Sequence, residues 1–269
     1  MRLISICPSN TELVEYLGLT SQLVGVDDFS DWPASIQSLP KLGPDLSIDM
    51  DKVEALKPDL VIASLSVPGM EKNIEELKKR GLPYIVTNPQ SLQDIGDSLL
   101  EAGKACGVEE QAKEIANQYF SQLKLFQQVA NTIENHPALY WEWWPKPVFT
   151  PGRINWLTEI SELAGGTNVF ATEHTANFQT SWDDVKQRDP DYILLSWVGV
   201  QTEKIDPEIV KKRPGWIDLQ AVQSGRVAVM EEEYFCRPSP RLLIGLHKLA
   251  MLLHPDSYRM IELDPLFKK

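Results

Sequence analysis

Twice along this 269-residue chain a short helical stretch runs into Pro-Asp and then an apolar strand, at the same spacing. Asp51-Lys52-Val53 leads to Pro58-Asp59-Leu60-Val61-Ile62-Ala63-Ser64. Asp183-Asp184-Val185 leads, at a constant offset, to Pro190-Asp191-Tyr192-Ile193-Leu194-Leu195-Ser196. Two further echoes keep the order: LISICP from Leu3 with ALYWEWWP from Ala138, and TELVEYLGLTSQLVGV from Thr11 with LTEISELAGGTNVF from Leu157. One helix–Pro-Asp–strand unit is common among α/β proteins, whereas three echoes in one order point to a duplication. Strands alternating with helices in this way build parallel sheets covered on both faces.

Between the copies, residues 108–134 hold no Gly or Pro. Their apolar residues fall at Val108, Ala112, Ile115, Tyr119, Leu123, Phe126, Ala130 and Ile133, steps of three and four that make one stripe on a helix. At the standard rise such a helix is roughly 40 Å long. The expected fold is therefore α/β: two Rossmann-like lobes with parallel sheets, residues 1–106 and 136–269, joined by a single long α-helix at 107–135. A ligand cleft is expected between the lobes, because domain interfaces concentrate small-molecule sites. Locally, residues 3–7 read as a buried strand ended by Pro8, and Ser9 with Glu12 reads as a capping pair opening a helix that stops at Gly18.

The formal charge of −12 excludes a nucleic-acid partner, which needs clustered Lys and Arg, and disfavours anionic membrane surfaces. Three cysteines (Cys7, Cys106, Cys236) and four scattered histidines show no metal-ligand spacing, so no metal site is expected. No apolar run has the length of a bilayer span, and the N-terminus enters a strand directly. The chain as written is expected in the cytoplasm, or as a periplasmic protein or extracytoplasmic lipoprotein if its start has been trimmed. No Gly-x-Ser-x-Gly elbow, phosphate-cradling loop, H-E-x-x-H or Cys-x-x-Cys occurs, and Gly165-Gly166 lacks the context of a dinucleotide fingerprint. No catalytic residue is assigned, no cofactor is required, and an enzyme is not expected.

Eight tryptophans are many for this length, and most sit where a strand meets a loop: Trp32, Trp141, Trp143, Trp144, Trp156, Trp197 and Trp216, joined by Tyr234 and Phe235. Loops after the carboxyl ends of parallel strands form ligand crevices, and aromatic walls suit a large, flat, partly apolar ligand. At least three of these rings are expected to line a cleft. Simple alternation within YWEWW, with two indoles in the core and one outside, is the competing explanation. Trp216, beside Pro214 and Gly215, is expected to pack. Arg153 and Arg237 are the candidate cations, with a surface salt bridge as the alternative for Arg153. Ser9, Asn10 and Thr11 put a helix N-terminus toward a ligand, although capping explains Ser9 equally well.

PSNTE at 8–12, SDWP at 30–33, VEALKPDLVIAS at 53–64, TSWDDV at 180–185 and YFCRPSPRLLIGLHKL at 234–249 together resemble the substrate-binding proteins of ABC importers for cobalamin, siderophores and haem, over essentially the whole chain. The vitamin B12 branch looks most similar. The resemblance implies non-catalytic capture of cobalamin or a related corrinoid by a monomer, with ABC permease subunits as partners. Ferric siderophore or haem binding is the alternative, and a cytosolic enzyme or cofactor-handling protein, enlisting Glu142, Glu233 or Arg237, is another. Carried over by position, Trp32 stands at an aromatic site of the family, and Glu233, Tyr234, Phe235 and Arg237 match a run that reaches the ligand. Glu71 matches a permease-docking Glu, with Glu203 or Glu208 as its second-lobe counterpart. Ser64 and Asp45 stand at or near family tryptophans, while Trp143, Trp144 and Trp197 are new.

Overall fold

The structure is a computed structural model that describes residues 1–268. The chain forms two compact units, Met1–Phe120 with Pro238–Pro240, and Ser121–Arg237 with the chain from Arg241 onward.

The first unit runs β1 (Leu3–Ser5), α1 (Pro8–Tyr16), β2 (Leu23–Val26), α2 (Met50–Ala55), β3 (Leu60–Ser64), α3 (Glu71–Lys79), β4 (Tyr84–Thr87) and α4 (Leu92–Ala105). Its sheet has the order β2-β1-β3-β4 and is parallel throughout. All five residues of β3 are buried, as a strand covered on both faces requires. The start of α1 differs from the sequence expectation. Pro8 occupies its first turn, where a missing N–H costs nothing, and Cys7 is the N-cap without a side-chain cap. Glu12 instead accepts a hydrogen bond from the Ser239 hydroxyl, both residues being buried within this unit. A capping box does form at α4, where Ser91 and Asp94 exchange side-chain and backbone bonds.

The long helix is α5 (Glu109–Ala130), 22 residues or about 33 Å. It is shorter than expected because residues 131–133 turn out of it, the Thr132 hydroxyl bonding back to the Val129 carbonyl. Its apolar stripe has two receivers. In the first unit Tyr119 donates to the Leu92 carbonyl at 3.2 Å; in the second, Phe126 stacks on Tyr258 with ring centres 5.9 Å apart. The division between the units falls inside this helix, after Phe120.

The second unit continues with β5 (Ala138–Glu142), β6 (Trp144–Pro145), β7 (Val148–Pro151), α6 (Trp156–Leu163), β8 (Thr167–Asn168), β9 (Asn177–Thr180), α7 (Trp182–Arg188), β10 (Tyr192–Leu195), α8 (Gln220–Gln223), β11 (Val227–Val229), α9 (Glu232–Phe235), α10 (Leu242–Leu253) and α11 (Pro255–Tyr258). Its parallel sheet has the order β11-β10-β5-β8, which read backwards repeats the first sheet strand for strand. The repeated Pro-Asp has a physical role in both. Asp59 accepts the Arg2 N–H on its carboxylate (2.6 Å) and returns its own N–H to the Arg2 carbonyl (2.9 Å). Asp191 does the same with Ala138, at 2.8 and 2.7 Å. Each Asp thus pins the register of a central strand pair at its start. A small antiparallel sheet, β6-β7-β9, is added in the second unit only and was not expected from the sequence.

Candidate functional site

In the first unit the carboxyl end of β2 opens into a loop built on Asp27. This fully buried carboxylate accepts the amide protons of Phe29 (2.8 Å) and Ser30 (2.9 Å) and the Ser30 hydroxyl. The Thr11 hydroxyl oxygen lies 2.7 Å from those of both Ser30 and Ser5, so the loop is tied to β1 and to the first turns of α1. Lys41 adds a bond to the Ser30 carbonyl. Burial pushes the Asp27 carboxyl up to about 6, against the lowering effect of its hydrogen bonds. On this base the loop displays Phe29, 52% exposed, and Trp32, half-buried, whose ring lies 5.9 Å from that of Tyr16.

Ser9 and Asn10 are buried rather than presented to solvent. Asn10 donates to the Ile62 carbonyl and accepts from Thr87, so its amide bridges β3 and β4. Ser9 lies 3.3 Å from the Cys7 sulfur. Asn10 thus holds the first turns of α1 to the sheet, and Ser9 packs within its own turn. Glu71 is exposed at the first residue of α3 and accepts the Gly69 N–H at 2.7 Å.

In the second unit β5 is a central strand with both faces covered. Trp141 is 0% exposed and donates to the Ser161 hydroxyl at 2.8 Å; its ring packs 5.3 Å from that of Phe235, also 0% exposed. Both are core residues. Trp143 is nearly buried, its ring 5.8 Å from Trp156, which donates to the Phe235 carbonyl. Trp216 is buried, as expected. Trp144, by contrast, is 41% exposed on β6, its indole donating to the Lys146 carbonyl. Trp197, just past β10, is half-buried and donates to Glu142 at 3.1 Å. The adjoining Val198 is exposed, as is Ile154.

Glu233 and Tyr234 lie half-buried on the short helix α9. The Tyr234 ring has the Arg241 guanidinium 4.9 Å and the Lys248 ammonium 4.8 Å from its centre. Arg237 is mostly buried and paired with Glu232 at 2.9 Å. Arg153 is half-exposed in an ion pair with Glu162, the plainer of its two expected roles. Glu203 is exposed in the 3-10 turn Thr202–Lys204, and Glu208 is exposed and bonded to Lys211.

Sequence reading passed over Phe29, although an apolar residue in the polar stretch DDFSD was a signal. It also passed over Arg213, whose charge neutralises Glu142 inside the unit. Among the described residues no group of His, Cys, Asp and Glu could hold a metal ion. The cysteines are free, and burial raises the Cys7 thiol to about 11. No helix among the described residues is long and apolar enough to cross a membrane. A surface hollow of about 560 Å³ in the first unit, walled by Asp94, Asp97 and Glu101 of α4 and by Glu109 and Lys113 of α5, contains none of the expected ligand residues.

A family model described as "Periplasmic binding protein" matches residues 3–234. An uncharacterized ABC transporter substrate-binding lipoprotein, YvrC of Bacillus subtilis (strain 168), is 30% identical over 268 residues, covering 96% of this chain and 81% of that one. A vitamin B12-binding protein of Yersinia pestis (strain Pestoides F) is 28% identical over 255 residues, covering 93% and 85%. Among solved structures, the periplasmic heme-binding protein RhuT from Roseiflexus sp. RS-1 in apo form superposes with a TM-score of 0.83 at 22% identity, over 95% of this chain and 98% of that one.

Proposed function

Since the chain belongs to the periplasmic binding protein family, as a solute-binding protein of the vitamin B12, haem and siderophore type, we propose that its ligand is cobalamin or a related corrinoid. The observation that carries this reading is the placement of partly exposed rings at strand carboxyl ends. Phe29 and Trp32 stand there in the first unit, and Trp144, Trp197 and Tyr234 in the second. A corrin is large, flat and apolar on its faces, and its rim of neutral amides donates hydrogen bonds. Glu233 beside Tyr234 supplies an acceptor for such donors, while Glu231 and Glu232 are paired with Lys248 and Arg237.

Haem is the second reading, favoured by the similarity in fold to a heme-binding protein and by two side chains of types that can ligate iron. Tyr234 and the exposed His174 follow strands of the second unit, whereas the loops after β1 to β4 hold no His or Tyr and their Cys7 and Met70 are buried. A cobalamin brings its own axial ligands and needs none of these.

Binding rather than turnover is favoured because Glu142, the acid best placed to enter chemistry at the end of β5, already accepts from Arg213, Tyr140 and Trp197. As an importer component the protein works outside the cytoplasmic membrane, with Glu71 and Glu203 the candidate permease contacts; the mature N-terminus purified from the native host tests the compartment. Titration with cyanocobalamin, hemin and a ferric siderophore, followed by calorimetry and visible spectra, tests the ligand. Cobalamin binding is expected, weakened about tenfold or more by Trp32→Ala and by Tyr234→Ala with cooperative unfolding retained. A Soret shift with hemin, lost in Tyr234→Phe or His174→Ala, and no response to cobalamin would move the assignment to haem.

A further inference from the structure

At the carboxyl end of β5 the second unit holds a buried ionic cluster. Glu142 is fully buried, and the Arg213 side chain is 2% exposed. Both guanidinium ends reach the carboxylate, Nη1 to Oε2 and Nη2 to Oε1, each at 2.7 Å. The Tyr140 hydroxyl donates to Oε2 at 2.9 Å, and the Trp197 indole N–H to Oε1 at 3.1 Å. The guanidinium is in turn faced by two indoles, Trp216 with its centre 4.4 Å away and Trp182 at 5.0 Å.

A buried ion pair is a weak source of stability, because desolvating both charges offsets most of their attraction; well-packed apolar residues do as well or better. What such a pair does supply is a fixed direction. The bidentate fork holds the carboxylate plane, and Oε1, which accepts from Arg213 Nη2, then also accepts from the Trp197 indole. Trp197, like Trp182, is partly exposed, and it opens the turn 197–200 that carries the exposed Val198. The same turn is held at its backbone by the Val198 N–H on the Trp143 carbonyl, at 3.3 Å.

We propose that Arg213 and Glu142 are positioning residues for ligand binding: they orient the Trp197 ring through its N–H and so set the shape of the binding surface at the end of β10. This rests on the corrinoid reading only for the choice of ligand probe. The pair touches no ligand itself and acts through the indole. Tyr140 and the Trp182 and Trp216 rings hold the pair in turn, so the cluster passes order from the sheet interior to one surface ring.

A coupling experiment tests it. Cyanocobalamin affinity is measured for the parent, Glu142→Gln, Trp197→Phe and the double variant. Because Glu142→Gln leaves Arg213 buried beside a neutral partner and risks unfolding, Glu142→Gln with Arg213→Met is made as well, removing both charges together. Each charge-removing variant is expected to weaken binding roughly tenfold in the parent background. In the Trp197→Phe background, where the indole N–H is gone, it is expected to change affinity less than about twofold. The second readout needs no ligand. In a spectrum of the indole N–H groups, the resonance lost in Trp197→Phe identifies Trp197, and removing the pair should shift it and speed its exchange with solvent. Equal losses of affinity with and without the Trp197 indole, or an unmoved Trp197 resonance, overturn the proposal. If the parent ignores cobalamin but the resonance shifts, the positioning stands and only the corrinoid reading fails.

Discussion

Asp27 shows how a single buried carboxylate organises a binding loop and leaves a pH signature. Burial raises its pKa above the ordinary value of 3.8, to about 6, so the folded protein holds a proton there that the unfolded chain has released. The sign follows from linkage. Above pH 6 the group is ionised in both states and burial of the charge costs stability; as pH falls from 6 toward 4 the folded state takes up a proton and that cost disappears. Asp27 therefore contributes a rise in stability on acidification, on the order of 2–3 kcal/mol across the window. In Asp27→Asn the rise from this group should vanish, seen as a smaller difference between melting temperatures at pH 5 and pH 7.5 than in the parent. A difference identical in both proteins would show that the carboxyl titrates normally. Residues such as Asp27 are hard to read from a sequence, because DD after a strand looks like any solvated turn. The burial of Trp141 was hidden in the other direction: loop-like neighbours suggested an exposed ring, yet a central parallel strand buries both of its faces. The partial exposure of Trp32 and Trp197 was legible because each lies beyond the last residue of a parallel strand, β2 and β10.

The close approach of α4 and α5 within the first unit is an element-scale feature that periodicity does not reveal. Gly103 of α4 faces Ala112 of α5, and a Cβ at Gly103 would collide with the Ala112 Cβ, which is fixed to the backbone and has no rotamer to escape into. Gly96 faces the Phe120 ring in the same interface, and that ring can turn aside. Alanine in a helix is intrinsically better than glycine by about 1 kcal/mol, so the two effects oppose each other. At Gly103 the collision wins, and Gly103→Ala is expected to destabilise by about 1–3 kcal/mol in denaturant unfolding; Gly96→Ala should cost less. A Gly103→Ala protein as stable as the parent would mean the helices can part without loss. The repeat was visible from the sequence for a reason of the same kind. Asp59 and Asp191 recur because each closes a pair of hydrogen bonds at the start of a central strand, and that geometry tolerates few other side chains. The sheet β6-β7-β9 has no such signature: its strands are two to four residues long, too short for alternation to declare itself. The start of α1 misled because S-x-x-E fits a capping box, while Pro8 one residue earlier is equally suited to a first turn, and the proline governs.

At the scale of the whole chain, a formal charge of −12 constrains the ligand even before any contact is considered. The field of such a protein repels anions at long range and is screened by salt, with a Debye length of about 10 Å at 0.1 M. Close to Tyr234 the sign alternates, since Arg241 and Lys248 face its ring while Glu231 and Glu232 pair with Lys248 and Arg237. A ligand recognised through aromatic faces and neutral amides feels little of either field. An ionised one feels both, tightening with salt if the global repulsion governs and loosening if the local cations do. Cobalamin affinity is therefore expected to change less than about twofold between roughly 0.05 and 0.5 M sodium chloride. Saturation at about one hundred times the dissociation constant should then stabilise the protein by about 2.7 kcal/mol at either salt concentration. The measurement is a pair of titrations with a thermal-shift control, and a tenfold drift in either direction would place an ionised group of the ligand against charged side chains. The surface rings would then be a frame around a polar contact rather than the contact itself, and haem, with its carboxylates, would fit that arrangement better than a corrinoid.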